Sequence, residues 1–161
     1  MSDQLVRELA AMPKAERLPI VSHWSMSGSN FFEKAGPALQ EVDFTLVQTY
    51  SFIDAKQPKA RQVLAAAQKM FGVKDARSLA APVGVAHAYD LTHILARAID
   101  RAGSTERAAV HDALEQVRDY DGLIKRYPQP FTPARHEALS PEDVYMARYA
   151  PDGAIVRIID R

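Results

Sequence analysis

The stretch Pro82 to Arg101, PVGVAHAYDLTHILARAIDR, constrains this chain more than any other, because every local signal in it specifies one element. Ala88, Leu91, Leu95, Ala98, Ile99 and Ala102 recur at helical spacing, while Asp90, His93, Arg97 and Arg101 collect on the other side, so the spacing predicts an amphipathic helix. Pro82 suits its first turn, where no amide donor is needed, and Gly103 stands where a helix end favours positive φ. Ser104 or Thr105 then caps a second helix over Glu106 to Val117, with Val110, Ala113, Leu114 and Val117 on its apolar side.

Around this helix pair the pattern alternates between strands and helices. Asp3 to Met12 puts Leu5, Val6, Leu9 and Met12 on one helical face, with Ser2 or Asp3 as cap and Pro13 as stop. Leu18 to Ser22 reads as a buried strand, and the loop SHWSMSG follows it. Ser29 or Asn30 caps a helix over Phe31 to Leu39 that is interrupted at Gly36-Pro37, and Phe44 to Thr49 reads as a second strand. Pro58 to Phe71 is a helix ended by Gly72. The Tyr- and Pro-rich region after Val117 reads as a long irregular tether. Asp143 to Tyr149 and Ala154 to Ile159 alternate about Pro151-Asp152-Gly153, which reads as a β-hairpin. The expectation is one helix-rich α/β domain.

Composition narrows the function classes. A chain of 161 residues, 47% hydrophobic and 25% charged, can bury a core as one domain. Twenty basic and twenty acidic residues cancel without clustering, which argues against nucleic acid or an anionic membrane as partner. No apolar run reaches the roughly 18 residues of a membrane span, and the N-terminus lacks the apolar core of a signal peptide, so the chain as written is expected to stay in the cytoplasm. The absence of cysteine excludes disulfides and thiolate metal sites.

Several segments carry a resemblance. GVAHAYDLTHILARAIDRAGSTERAAVHDALEQV, YDGLIKRY and DVYMARYAPDGAIVRI resemble the C-terminal half of the solute-binding proteins of the branched-chain amino acid (Leu/Ile/Val-binding, type I) family, the periplasmic receptors of ABC importers. LPIVSHWSMSGSNFFEKAGPALQEVDFTLVQTYSF resembles that family's strand, ligand loop, helix and strand. The resemblance implies a partial type I periplasmic-binding fold, helix-rich with short parallel strands and a C-terminal β-hairpin. It places residues 1–50 in the second lobe, 55–137 among helices of the first, and 143–159 back in the second. It implies a small-molecule ligand, an ABC permease as partner of the intact parent, a periplasmic location for that parent, and no catalysis or cofactor. With only the C-terminal half expected, strand edges and helix faces should lack their partners, so a homo-oligomer, or a complex with the complementary N-terminal half, is expected.

The candidate ligand residues are Ser22, His23, Trp24 and Ser25, at the carboxyl end of a strand where α/β sheets collect ligands, together with Tyr50 at the end of the next strand. Many amino-acid-binding members of the resembling family carry a carboxylate in this loop to meet the ligand's ammonium group. Here Trp24 stands at about that place, and no acid occurs from Ser22 to Asn30, which argues against an α-amino acid. A Trp face suits an aromatic or short aliphatic carboxylate or amide, with Ser22, His23 or Ser25 as donors. Core packing is the competing role for Trp24 and Tyr50. His87 and His93 lie about 120° apart around the helix, without the i, i+4 pairing of a zinc site, so no metal is expected there. No Gly-x-Ser-x-Gly elbow or Gly-rich phosphate loop is present, so no catalytic residue is assigned.

Overall fold

The computed structural model describes residues 2–28, 30–53 and 55–159. Ser29 and the side chain of Ser2, both candidate caps, lie outside the described residues. The chain forms two compact units, residues 1–83 with 144–161, and residues 84–143. The helix over 58–71 falls in the first unit, whereas the lobe division implied by the resemblance groups it with residues 55–137.

The first unit is built on a mixed four-stranded sheet. Its strands are β1 (Ile20–Ser22), β2 (Phe44–Gln48), β5 (Tyr145–Tyr149) and β6 (Ile155–Arg157), in the order β1-β2-β5-β6. β1 and β2 are parallel, with Ser22 opposite Leu46, while β2–β5 and β5–β6 are antiparallel. Strand alternation sorts the side chains of β2. Phe44, Leu46 and Gln48 are buried, and Thr45 and Val47 are half-buried.

Helices α1 (Ser2–Ala11), α2 (Phe31–Ala35) and α3 (Ala38–Glu41) supply Val6, Phe31, Ala35 and Leu39 to a core shared with Phe44, Leu46, Ala147 and Tyr149. Burying each large member of that cluster contributes on the order of 1.5–3 kcal/mol. The break between α2 and α3 falls at Gly36-Pro37, where Gly36 has φ +59°. Asn30 does not cap α2 through its side chain; it adopts a left-handed conformation instead.

The reading of Leu18 to Ser22 as a buried strand is corrected. β1 is the edge of the sheet, and Val21 points out with 71% of its surface exposed. An apolar run is buried on both faces only where a strand has neighbours on both sides. The C-terminal hairpin forms as expected. Gly153 at φ +85° closes its turn, with Ala154 N–H donating to the Asp152 carboxylate. α4 (Pro58–Phe71) begins with Pro58 in its first turn and ends at Gly72, φ +67°.

The second unit holds most of α5 (Pro82–Ala102), α6 (Arg107–Leu114) and a two-stranded ladder, β3 (Tyr120–Asp121) with β4 (Arg126–Tyr127). Ile94, Ala98, Ala113, Val117, Tyr120 and Tyr127 form its core. Gly103 ends α5 at φ +60°, and Ser104 Oγ accepts a hydrogen bond from Glu106 N–H just ahead of α6. The buried stripe of α5 differs from the expected one. Ala86, Asp90, Ile94 and Ala98 are buried, whereas Ala88, Leu91 and Leu95 are exposed. This helix is apolar on more than one side, and sequence periodicity cannot say which side is covered.

Asp90 is the chief correction to the tether reading of the region after Val117. Its carboxylate accepts four hydrogen bonds, from Leu123 N–H (2.5 Å), Ile124 N–H (2.9 Å), Tyr127 Oη–H (2.9 Å) and Tyr120 Oη–H (3.2 Å). One helical side chain thereby replaces the ladder partners that a turn as short as 121–126 cannot supply. Burial, followed by the Asp90 charge, raises the Tyr120 and Tyr127 hydroxyls far above their ordinary range, so both stay protonated as donors. Gly122 is required by the close approach, since a Cβ there would lie 2.6 Å from the Tyr127 ring and 2.8 Å from the Asp90 carboxylate. Lys125 pairs with Asp143, whose carboxylate also accepts from Ser140 N–H at 2.8 Å.

Candidate functional site

Because β1 and β2 are parallel, the loop after Ser22 and the segment Gln48-Thr49-Tyr50 leave the sheet at the same, carboxyl-terminal edge. Ser22 ends β1. His23 then caps a short 3-10 helix, Trp24–Ser27, its Nδ1 accepting from Ser25 N–H at 3.3 Å. With Nδ1 used as an acceptor, the neutral ring carries its proton on Nε2. The His23 and Trp24 rings lie 3.7 Å apart at 40°, which makes a paired aromatic surface of the two. Trp24 is half-buried and its carbonyl accepts from Ser27 Oγ at 2.6 Å, so the loop is braced from both ends.

Beside this loop the first unit forms a half-open cavity of about 470 Å³. Its walls come from the loop end and α2 (Ser27, Gly28, Asn30, Phe31 and Phe32), from the segment after β2 (Gln48, Tyr50 and Phe52), from residues 75–82, and from the hairpin at Tyr149 and Asp152-Gly153. Of the five sequence candidates, Tyr50 lines this cavity; Ser22, His23, Trp24 and Ser25 lie ahead of its first lining residue in the loop. Tyr50 is buried, with Phe52 edge-on at 5.0 Å. Tyr149 packs 5.9 Å from Phe31 and 5.6 Å from Phe32, and it donates its hydroxyl to Met26 O at 2.6 Å. Burial, with the Glu33 charge adding to it, holds that hydroxyl protonated well above its usual range.

Charge sits at the cavity's exposed residues. Arg77 pairs with Asp152 at 3.2 Å and so links the 75–82 segment to the hairpin turn. Asp75 is turned to local use. Its carboxylate accepts from Ser78 and Arg77 N–H, both at 2.9 Å, and these bonds, Ser78's first, hold it below the usual carboxylate range. Among the described lining residues Glu33, Asp75 and Asp152 are the carboxylates and Arg77 the guanidinium.

Sequence reasoning passed over Gln48. It is 1% exposed, lines the cavity, and neither its Oε1 nor its Nε2 has a hydrogen-bond partner among the described residues. The signal for it was present in the strand period, which puts Gln48 in phase with Phe44 and Leu46 and thus sends a polar amide inward. No group of three or more His, Cys, Asp or Glu side chains that could hold a metal occurs among the described residues, and no helix among them is long and apolar enough to cross a membrane.

A model of the family described as periplasmic binding protein matches residues 5–154. The chain belongs to the periplasmic binding protein family. Solved structures share its fold. The type 1 periplasmic binding protein from Bordetella pertussis Tohama I superposes with a TM-score of 0.71 at 21% identity, over 98% of this chain and 44% of that one. The branched-chain amino acid transporter substrate-binding protein LivJ from Streptococcus pneumoniae, solved with isoleucine, gives 0.68 at 19%, over 97% and 41%. A fatty acid ABC transporter substrate-binding protein from Thermomonospora curvata gives 0.62 at 18%, over 96% and 40%. The fold is therefore the α/β type I periplasmic-binding fold, and the chain spans less than half the length of these structures. No curated protein matches it by sequence.

Proposed function

We propose that this chain is part of the ligand-binding component of an ABC importer for amino acids or related small carboxylates or amides, aromatic ones included. It would act without catalysis, in a periplasmic parent that delivers its solute to a membrane permease. The observation that carries this reading is the convergence of the Ser22–Ser25 loop and Tyr50 on one sheet edge beside a cavity of about 470 Å³, a size suited to a small solute. Trp24 would offer an apolar face to the solute, and Ser22, His23 and Ser25 would supply hydrogen bonds at its polar end. Structures of this fold include a transporter substrate-binding protein solved with isoleucine and the substrate-binding protein of a fatty acid transporter, so the fold leaves the solute open.

The test is isothermal titration of the chain with a panel of branched and aromatic amino acids, acids and amides, repeated with Trp24→Ala. Loss of about tenfold or more in affinity supports the loop assignment, and unchanged affinity removes Trp24 from the site.

A second reading is favoured by the exposed apolar faces, namely that the chain is a self-associating structural fragment without transport function. Phe71 is 77% exposed and Leu91 and Leu95 are 49% and 43% exposed, a burden that a homo-oligomer or a complementary half would cover. Light scattering on the purified chain decides this, because a monodisperse monomer with a cooperative melt removes self-association.

A further inference from the structure

Arginines that are spread along the sequence meet on the second unit. Arg97 and Arg101 stand four residues apart on α5, which puts them on one face of that helix. Val117 shares a buried core with Ile94 and Ala98 of the same helix, and this draws Gln116 and Arg118 alongside the arginine row. The result is an open recess of about 640 Å³ lined by Arg97, Asp100, Arg101, Gln116, Val117 and Arg118. All of these residues belong to the second unit, and none of them lines the cavity of the first.

Each guanidinium is held by a neutral partner. Arg97 lies 5.2 Å over the Tyr120 ring, Arg101 Nε donates to Gln116 Oε1 at 3.1 Å, and Arg118 Nη1 donates to the carbonyls of Glu115 at 2.7 Å and Val117 at 2.9 Å. Arg7, Arg17, Arg77 and Arg126 each pair with an acid, whereas these three have no ion pair among the described residues. Asp100 is the carboxylate of the described lining, so positive charge is in excess there. A guanidinium is a fork of N–H donors, and much of each fork is left over. Both terminal nitrogens of Arg101, and Nε and Nη2 of Arg118, make no hydrogen bond among the described residues. A carboxylate has two oxygens and one charge, which a single arginine fork satisfies. A phosphate group carries about −1.5 to −2 charge at neutral pH and three strong acceptor oxygens, so it can engage several guanidiniums together and relieve their mutual repulsion.

We propose that this recess binds a phosphate group, free or carried by a small molecule, through Arg97, Arg101 and Arg118, with Gln116 as the residue that positions Arg101. The proposal stands on the second unit alone and does not depend on the solute-binding reading.

The experiment titrates the isotopically labelled chain with inorganic phosphate, phenyl phosphate and acetate at constant ionic strength, following the backbone and arginine Nε–H resonances of residues 97–101 and 116–118 by NMR. Wild type, Arg101→Gln, Arg118→Gln, Arg101→Lys and Asp100→Asn are compared, with thermal melts to confirm that each is folded. Saturable shifts are expected with both phosphates, and acetate should bind about tenfold or more weakly, as should either phosphate to the Gln variants, since each loses a charge-assisted hydrogen bond. Arg101→Lys keeps the charge but loses the fork, so it should recover only part of the affinity. Asp100→Asn removes the opposing charge and should tighten binding about two- to threefold, a gain that a merely destabilised variant would not show. Tighter binding of phenyl phosphate assigns the site to a phosphorylated organic molecule, and tighter binding of inorganic phosphate to the free ion. Acetate binding as well as phosphate, shifts that do not saturate, or affinity that survives both Gln substitutions overturns the proposal. So does co-sedimentation with phosphatidic acid vesicles in the absence of any shift with the two soluble phosphates, which makes the recess a membrane contact instead.

Discussion

Replacing Asp90 by Ala should unlock the segment that the sequence alone reads as a tether. The wild-type carboxylate is 1% exposed and is the shared acceptor for two backbone amides and two tyrosine hydroxyls. Removing it strands four donors. The Tyr120 and Tyr127 hydroxyls belong to flexible groups and can turn toward water admitted by the smaller side chain, whereas the Leu123 and Ile124 amides are fixed by the turn. Counting about 1–3 kcal/mol for each of the two stranded amides and little for the hydroxyls puts the loss at about 2–6 kcal/mol. That is a large share of the roughly 5–15 kcal/mol available to a domain of ordinary stability. Asp90→Asn keeps one acceptor oxygen but turns an NH₂ toward two donors, so about half the loss is expected. The assay is urea unfolding followed by near-ultraviolet circular dichroism, in which Tyr120 and Tyr127, both buried, report on this unit. A loss under about 1 kcal/mol for Asp90→Ala would refute the reasoning, because it would mean that the turn is held by its own ladder and by tyrosine packing.

Other perturbations follow from single contacts. His87 is half-buried, and burial, only partly offset by the Asp90 charge, lowers its pKa below the ordinary imidazole value of 6.5. The unfolded chain therefore takes up a proton at higher pH than the folded one, so stability should decline as pH falls from about 6.5 through the folded pKa; His87→Gln should flatten that stretch of the stability profile, as measured by urea midpoints at successive pH values. Gly153→Ala forces a side chain into φ +85° and sets its Cβ 2.9 Å from the Phe32 ring. A loss of about 1–3 kcal/mol is expected, read as a lower thermal midpoint, and a neutral result would show that the hairpin tip relaxes freely.

Short-range chemistry by itself determined much of this protein. Pro58 and Gly72 bound α4, Gly36-Pro37 splits α2 from α3, Gly103 ends α5, and Pro151-Asp152-Gly153 turns the hairpin, because φ limits and missing donors act within a few residues. The resemblance to solute-binding proteins was likewise legible in the order of the Ala-Tyr-Asp helix, the Gly-Ser-Thr connection and the Asp-Gly hairpin.

What only the tertiary structure decided is which faces those elements bury. Asp90 shares a helix with other charged residues, and no local signal marks it as the one 30 residues away from a waiting tyrosine hydroxyl. Leu18 to Ser22 carries the composition of an inner strand, yet its place at the sheet edge leaves Val21 exposed. Gln48 follows the strand period inward, and only the folded chain shows that its buried amide is left without a partner among the described residues. Periodicity states that a side is apolar or polar; burial depends on what arrives from distant sequence to cover it, and those long-range contacts are set by the whole chain rather than by any window of it.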